Sequence, residues 1–317
     1  MSSPLAPAQP VFVQPKQFIA SAEAMRQSWS LAPSLAYTRW LTRHHYENFH
    51  VVSALLPARL HQDFYNVYAF CRWADDLGDE IGAPAESLRL LDWWRGELHS
   101  MYAGRPATHP VFVALRQTAT RHGLPQAPFD NLITAFVQDQ TVTRYRNWEE
   151  LDGYCVNSAN PVGRLVLMLC GYRDEDRFRL SDATCTALQL ANFWQDVTVD
   201  LAKGRIYLPM HLFELHGYTV EELHALKFTS AFRAVMRDAV ERAQQLFEQG
   251  LPLVRTLNRR LALDIDLFHR GGLRVLQKIR AQDYDVLTAR PAISRVERAL
   301  LFVRSFVRVG LRAGAAV

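Results

Sequence analysis

The amino-acid sequence predicts an all-α protein, a single-domain helical bundle, on three observations. Glycine and proline fall mainly between stretches of helical periodicity: Pro57, Gly82/Pro84, Gly104/Pro106, Gly123/Pro125, Pro161/Gly163, Gly171, Gly204/Pro209, Gly250/Pro252, Gly271/Gly272 and Pro291. The stretches between these breaks run to roughly 12–25 residues, the usual length of bundle helices. Alternating apolar and polar runs closed by hairpin turns, the mark of paired strands, are scarce.

Along the chain, Pro4, Pro7, Pro10 and Pro15 make residues 1–28 read as a flexible lead-in. Helical patterning starts after Ser28 and continues through a main domain at 29–293. Residues 294–317 form a basic amphipathic segment, in which apolar residues alternate with Arg295, Arg298, Arg304, Arg308 and Arg312. Such a segment suits either an anionic membrane surface or a terminal helix packed on the bundle with its arginines in water.

The chain of 317 residues carries 36 basic and 32 acidic residues, a formal charge of +4. That bias is too small to imply a nucleic-acid partner. Cys71, Cys155, Cys170 and Cys185 show neither zinc-type pairing nor disulfide-scaffold density, and read as buried free thiols in a reducing compartment. The start lacks the basic and apolar parts of a signal peptide, and apolar runs such as Leu165–Gly171 are too short to span a bilayer. The expected location is the cytoplasm, with peripheral contact on the inner face of the membrane.

Two acidic clusters carry the chemistry. In Phe64–Glu80, the 100° helical step places Phe64, Tyr68, Cys71, Asp75 and Asp79 on one stripe, with an apolar upper part expected to face the core. Asp76 and Glu80 repeat the i,i+4 spacing on the next face. Like charges one turn apart repel, and a hard divalent cation such as Mg²⁺ removes that cost. A solvated acidic helix end would also hold these residues, so one cluster alone decides little. The second cluster, Gln189–Asp200, sets Asn192, Asp196 and Asp200 at i, i+4, i+8, one neutral oxygen and two charges. Lys203 and Arg205 follow directly and suit a diphosphate, one as a point charge and the other as a bidentate fork. Two such surfaces facing each other would hold metal ions between them and bridge an anionic substrate.

Around them, His44–Phe49 mixes histidine, tyrosine, glutamate and asparagine; His45 suits a diphosphate oxygen, a proton relay or a plain structural role. Asp139–Tyr145 leads into Tyr154–Gly163, whose small residues suit a helix break beside a cavity or simple close packing.

Tyr68-Ala-Phe-Cys-Arg72 running into Asp75-Asp76-x-x-Asp79-Glu80 resembles the first aspartate-rich motif of the squalene and phytoene synthases. Asn192-Phe-Trp-Gln-Asp196-x-x-x-Asp200, followed by Gly204-Arg-Ile-Tyr-Leu-Pro209, resembles their second. The resemblance runs from about Leu35 to Pro291, and it implies the isoprenoid synthase bundle with a central cavity between two Asp-rich helices. Within the family, His45–Phe49 and Ala159–Arg164 look most like the bacterial hydroxysqualene synthases. That implies reaction of presqualene diphosphate, or another prenyl diphosphate, in a Mg²⁺-dependent ionisation. The competing reading is head-to-head condensation of two shorter prenyl diphosphates. Carried over by position, Asp75, Asp79, Asn192, Asp196 and Asp200 match the metal-binding positions. His45, Arg72, Tyr154, Gln189, Lys203 and Arg205 match positions lining the diphosphate or the cation. Arg290 lies near a further diphosphate contact, about one residue out of register.

Overall fold

The computed structural model describes residues 12–44 and 56–312. Among the described residues the regular elements are helices, with one isolated bridge, Arg144 to Ile206, and no strand. They gather into two compact units, one ending at Gln126 and the other beginning, for its helices, at Ala127.

The first unit holds α1 (Pro15–Ala20), α2 (Ala22–Arg26), α3 (Leu31–His44), α4 (His61–Asp79), α5 (Pro84–Tyr102) and α6 (Pro110–His122). Proline opens α1, α5 and α6, where its missing N–H costs nothing and its fixed φ suits the first turn. Gly123, at φ 55°, closes α6 in the left-handed conformation.

The centre of this unit is Trp73 of α4. Its ring stacks on Trp94 of α5, with centroids 5.0 Å apart, and takes the edges of His109 and Phe18 at 4.5 and 5.2 Å. Its indole N–H donates to the Tyr37 hydroxyl at 3.1 Å, which settles the one polar atom of a fully buried side chain. Burial pushes the His109 imidazole down to about 3, so it stays neutral in this aromatic nest.

A buried polar chain ties α3, α4 and α6 together. Thr38 donates to Asn66 at 2.6 Å, Asn66 to Thr118 at 2.9 Å, and Thr118 to Asp63 at 2.8 Å. His122 and Arg121 complete the Asp63 carboxylate. Every link is paired, which is what makes such a network tolerable in a core.

One expectation changes here. The lead-in at 1–28 is not flexible throughout, because residues 15–26 form α1 and α2, and Phe18 is buried against Trp73. A proline count cannot register an aromatic anchor whose partner lies 55 residues further on. Residues 1–11 lie outside the described residues.

The second unit holds α7 (Ala127–Gln138), α8 (Trp148–Ser158), α9 (Asn160–Leu169), α10 (Glu175–Gln195) and α11 (Val197–Ala202). It continues with α12 (Met210–His216), α13 (Val220–His224), α14 (Ser230–Gly250), α15 (Leu253–Thr256), α16 (Arg259–Ala281) and α17 (Arg295–Arg312). The long helix α10 runs through the middle, packed by α9, α14 and α16. Leu190, Ala191 and Trp194 of α10 share a core with Val235, Ala239, Val240 and Phe247 of α14 and with Leu276 and Ile279 of α16.

Two glycines let neighbours reach α10 closely. A Cβ on Gly250 would lie 2.9 Å from the Thr184 backbone nitrogen and 3.0 Å from the Leu180 carbonyl, atoms with no freedom to retreat. A Cβ on Gly163 would strike Ser181 and Cys185. Within Tyr154–Gly163, α8 gives way to α9 at Ala159, and Gly163 packs closely on α10.

All four cysteines are free thiols; Cys155 is buried and the others are half-buried. Burial raises Cys71 and Cys170 to about 12 and Cys185 to about 11, so they stay protonated.

Asp264 of α16 is 1% exposed, and neither carboxylate oxygen has a hydrogen-bond partner among the described residues. Burial raises its pKa from 3.8 to about 8. The folded chain thus holds this proton more tightly than the unfolded chain, so stability falls as pH rises from about 4 towards 8. Asp264→Asn is expected to remove that slope and raise stability by about 1–3 kcal/mol at pH 8. Melting curves of both proteins at pH 5 and pH 8 check it; an equal pH slope in the variant would refute the assignment.

Candidate active site

The first acidic motif lies at the end of α4. Its stripe opens gradually: Phe64 is buried, Tyr68, Cys71 and Asp75 are half-buried, and Asp79 is exposed. The buried carboxylate of the motif is Asp76, one position off the stripe, at 5% exposure. The face packed on α5 and α6 carries Phe70, Trp73, Ala74 and Leu77, and Asp76 lies beside them. Arg72 serves both neighbours, donating to Asp75 at 2.9 Å and pairing with Asp76. Burial works against the Arg72 charge, but Asp76 and Asp75 outweigh it and hold the guanidinium protonated. For Asp76, burial raises the pKa and Arg72 opposes the rise.

The second motif spans a helix break. Asn192, the first of the three ligand-type residues, lies within α10; Asp196 sits between α10 and α11, at φ −107° and ψ 18°; Asp200 lies in α11. Backbone bonds still run through the break, from Asp196 N to Asn192 O at 2.9 Å and from Asp200 N to Asp196 O at 2.8 Å. The i,i+4,i+8 line therefore persists, although the expected continuous helix does not. Asn192 is exposed, while Gln189, Asp196 and Asp200 are half-buried.

The cations gather here. Gly204, at φ 77°, turns the chain so that the Lys203 and Arg205 amides both bond the Asp200 carbonyl, at 3.0 and 2.9 Å. Arg290 forks onto the Asp196 carboxylate, with the Nη2–Oδ2 bond at 3.1 Å. The residue that was out of register in sequence thus reaches the motif across 94 positions. Asp200 is raised to about 7, first by burial and then by the charge of Asp196, with Lys203 and Arg205 opposing.

Beyond the motif, the loop after Gly204 pairs with 143–146, from Ile206 N to Thr143 O at 2.8 Å and from Met210 N to Tyr145 O at 2.9 Å. This draws together Tyr145, Tyr154, Tyr207 and Phe193; Phe193 stacks on Tyr207 at 3.6 Å. Asp139 sits beneath them. The Tyr154 hydroxyl donates to it at 2.9 Å and the Tyr207 hydroxyl at 3.3 Å, and Arg205 donates to its carbonyl at 3.4 Å. Burial first, and Asp139 next, push the Tyr154 phenol well above its ordinary range, so it remains a donor and is no base. A small open cleft beside Asp200 is lined by Phe193, Val197, Arg205 and Tyr207.

Asp139 entered the sequence reading only as the start of a stretch. An aspartate outside the clusters gives no periodic signal, and its partners come from 15 and 68 residues away. His45, with Tyr46, Glu47, Asn48 and Phe49, lies outside the described residues.

Among the described residues no three His, Cys, Asp or Glu side chains cluster tightly enough to hold a metal ion by themselves. The donor set still fits a hard cation. Asp196 and Asp200 are two carboxylate oxygen donors one turn apart, with Asp200 raised first by burial and then by the Asp196 charge, and Asn192 adds a neutral oxygen on the same line.

A family model described as squalene/phytoene synthase matches residues 42–297. The chain belongs to that family. Family enzymes use prenyl diphosphates, typically with a divalent metal. This squalene/phytoene synthase homologue is 31% identical to the phytoene synthase of Thermus thermophilus over 89% of this chain and 96% of that one. It is 32% identical to the hydroxysqualene synthase of Rhodopseudomonas palustris over 76% of this chain and 82% of that one. The crystal structure of squalene synthase HpnC from Alicyclobacillus acidocaldarius superposes with a TM-score of 0.77 at 46% identity, covering 80% of this chain and 95% of that one. The fold is all-α, of the isoprenoid synthase type.

Proposed function

We propose that the chain is a hydroxysqualene synthase, converting presqualene diphosphate and water to hydroxysqualene and diphosphate. What supports this reading is the 32% identity with the Rhodopseudomonas hydroxysqualene synthase, beside the 46% identity with the structure of squalene synthase HpnC. The second reading, head-to-head condensation of two farnesyl or geranylgeranyl diphosphates, draws on the 31% identity with the Thermus phytoene synthase over 89% of the chain. A non-catalytic assembly role is disfavoured, because both acidic motifs are complete.

In this proposal Asp75, Asp79, Asn192, Asp196 and Asp200 hold Mg²⁺, which would neutralise the diphosphate and favour its departure. Arg72, Lys203, Arg205 and Arg290 supply the remaining positive charge to the leaving group. Gln189 and His45 are assigned to the same diphosphate surface. The hydroxyl of Tyr154, kept protonated by burial, spends its one hydrogen on Asp139 and offers its oxygen lone pairs to a polar partner as an acceptor. The proton released as water attacks the allylic or cyclopropylcarbinyl cation passes to the departing diphosphate or to His45. Stacked Phe193 and Tyr207 offer a π-face that tolerates a carbocation and excludes water. The enzyme is assigned to the cytoplasm, with peripheral contact on the inner face of the membrane.

Product analysis by gas chromatography–mass spectrometry tests the assignment. Purified protein with Mg²⁺ and no NADPH would receive presqualene, farnesyl or geranylgeranyl diphosphate in separate reactions. A hydroxylated C30 alcohol from presqualene diphosphate is expected. Phytoene, dehydrosqualene or presqualene diphosphate formed from the shorter substrates would establish the condensing reading instead.

A further inference from the structure

Helix α17 is docked the wrong way round for a helix in water. Its inward side is small or polar. Ser305 is fully buried, Glu297 pairs with Arg274 at 2.6 Å and Lys278 at 3.1 Å on α16, and Arg308 lies 3.8 Å from buried Asp266. Val309 is the apolar residue closing this contact, against Val254, Ala262 and Leu263.

The outward side is apolar. Val296 is 68% exposed, Leu300 52%, Phe302 40%, Val303 57% and Phe306 52%. At 100° per residue, Val296, Leu300 and Val303 form one line, and Phe302 and Phe306 the adjoining one. A continuous apolar face turned to solvent, on a helix already anchored by ion pairs behind it, marks a surface meant for an apolar partner.

Charge identifies that partner. Arg295, Arg298 and Arg304 are exposed around the apolar face, and the Arg259 guanidinium sits 5.9 Å from the Phe306 ring centroid. The one carboxylate described on α17, Glu297, is turned inward and spent on Arg274 and Lys278. The rim is therefore wholly cationic. A second copy of the same face would set arginine against arginine, which disfavours self-association. An anionic lipid surface satisfies both features at once. The apolar side chains enter the acyl boundary, and the arginines meet headgroup phosphates as bidentate donors.

We infer that the outward face of α17, formed by Val296, Leu300, Phe302, Val303 and Phe306 and rimmed by Arg295, Arg298 and Arg304, is an in-plane docking surface for an anionic phospholipid membrane. The inference rests on the reading of peripheral membrane contact and names the surface that makes it. No described helix is long and apolar enough to cross a membrane, so the contact is interfacial. A prenyl substrate partitions into the same layer, and a helix lying there delivers the enzyme to it.

Flotation of the full-length protein with vesicles tests this, using phosphatidylcholine alone and phosphatidylcholine mixed with phosphatidylglycerol. Wild type is expected to float with the mixed vesicles and to remain largely unbound with phosphatidylcholine. The Leu300→Asp/Val303→Asp variant should stay at the bottom of both gradients while keeping wild-type turnover of detergent-dispersed substrate. Arg298→Gln/Arg304→Gln should lose roughly fivefold in vesicle affinity per arginine removed, and it keeps the test open should the aspartates disturb the helix.

Wild type that floats with neither vesicle overturns both the surface and the peripheral reading. Variants that float like wild type overturn the surface and leave the peripheral reading standing. Equal flotation with both vesicles removes the anionic assignment. A wild-type dimer that Leu300→Asp/Val303→Asp converts to a non-binding monomer would make this face a self-association surface instead. Turnover is read separately, so a failure of the hydroxysqualene assignment leaves every flotation outcome interpretable.

Discussion

Asp196→Ala is expected to lower turnover by roughly a hundredfold to a thousandfold or more, with the folded structure intact. The carboxylate sits at the break between α10 and α11 with Asn192 one turn before it and Asp200 one turn after, so its removal takes out the middle donor of the motif. It is half-buried and bound on one side by exposed Arg290, and its loss leaves no buried charge unpaired. Stability should therefore change little, which separates a chemical effect from a folding one. Asp196→Asn, which keeps the shape and removes the charge, should be nearly as impaired. Raising the Mg²⁺ concentration should recover part of the loss if the residue binds the metal, and none if it acts only through Arg290. The measurement is steady-state turnover at several Mg²⁺ concentrations, with circular dichroism on each variant. Near-normal activity in Asp196→Ala would end the two-motif account.

Trp73→Ala should destabilise the protein by about 3–5 kcal/mol, the usual cost of emptying a buried aromatic site. The side chain is fully buried, stacks on Trp94, and receives His109 and Phe18 on its edges. Truncation also removes the indole N–H that the Tyr37 hydroxyl accepts at 3.1 Å, leaving that hydroxyl only its bond to the Val13 carbonyl. The consequence reaches the site, because Trp73 and Asp76 lie one turn apart on α4 and Asp75 and Asp79 depend on the same helix. Activity should fall with the folded fraction and recover at lower temperature, unlike the loss in Asp196→Ala. Urea unfolding followed by tryptophan fluorescence gives the number. A loss below about 1 kcal/mol would mean that the neighbouring rings collapse into the vacated space.

Much of the candidate site was readable in one dimension because its residues are close in sequence. Asp75 and Asp79 lie four residues apart, as do Asn192 and Asp196, and Lys203 and Arg205 flank one glycine. Helical periodicity and ligand chemistry are local properties, and they survive without knowledge of neighbours. Arg290 marks the limit, since its sequence register was off and only the fold set its guanidinium on Asp196. Asp139 lay beyond the limit, because what distinguishes it is that two tyrosine hydroxyls converge on it.

By itself the sequence determined the all-α class, the two acidic motifs and, through them, the squalene/phytoene synthase family. Each depends on spacing within about two helical turns, which the backbone geometry dictates alone. The tertiary structure decided which side of each helix is inside. It buried Asp76 rather than Asp79, anchored α1 through Phe18, broke the second motif's helix at Asp196, and left the apolar face of α17 outward. These are choices between faces of a helix. An amphipathic pattern names two faces, but only packing partners from distant parts of the chain determine which of them meets solvent.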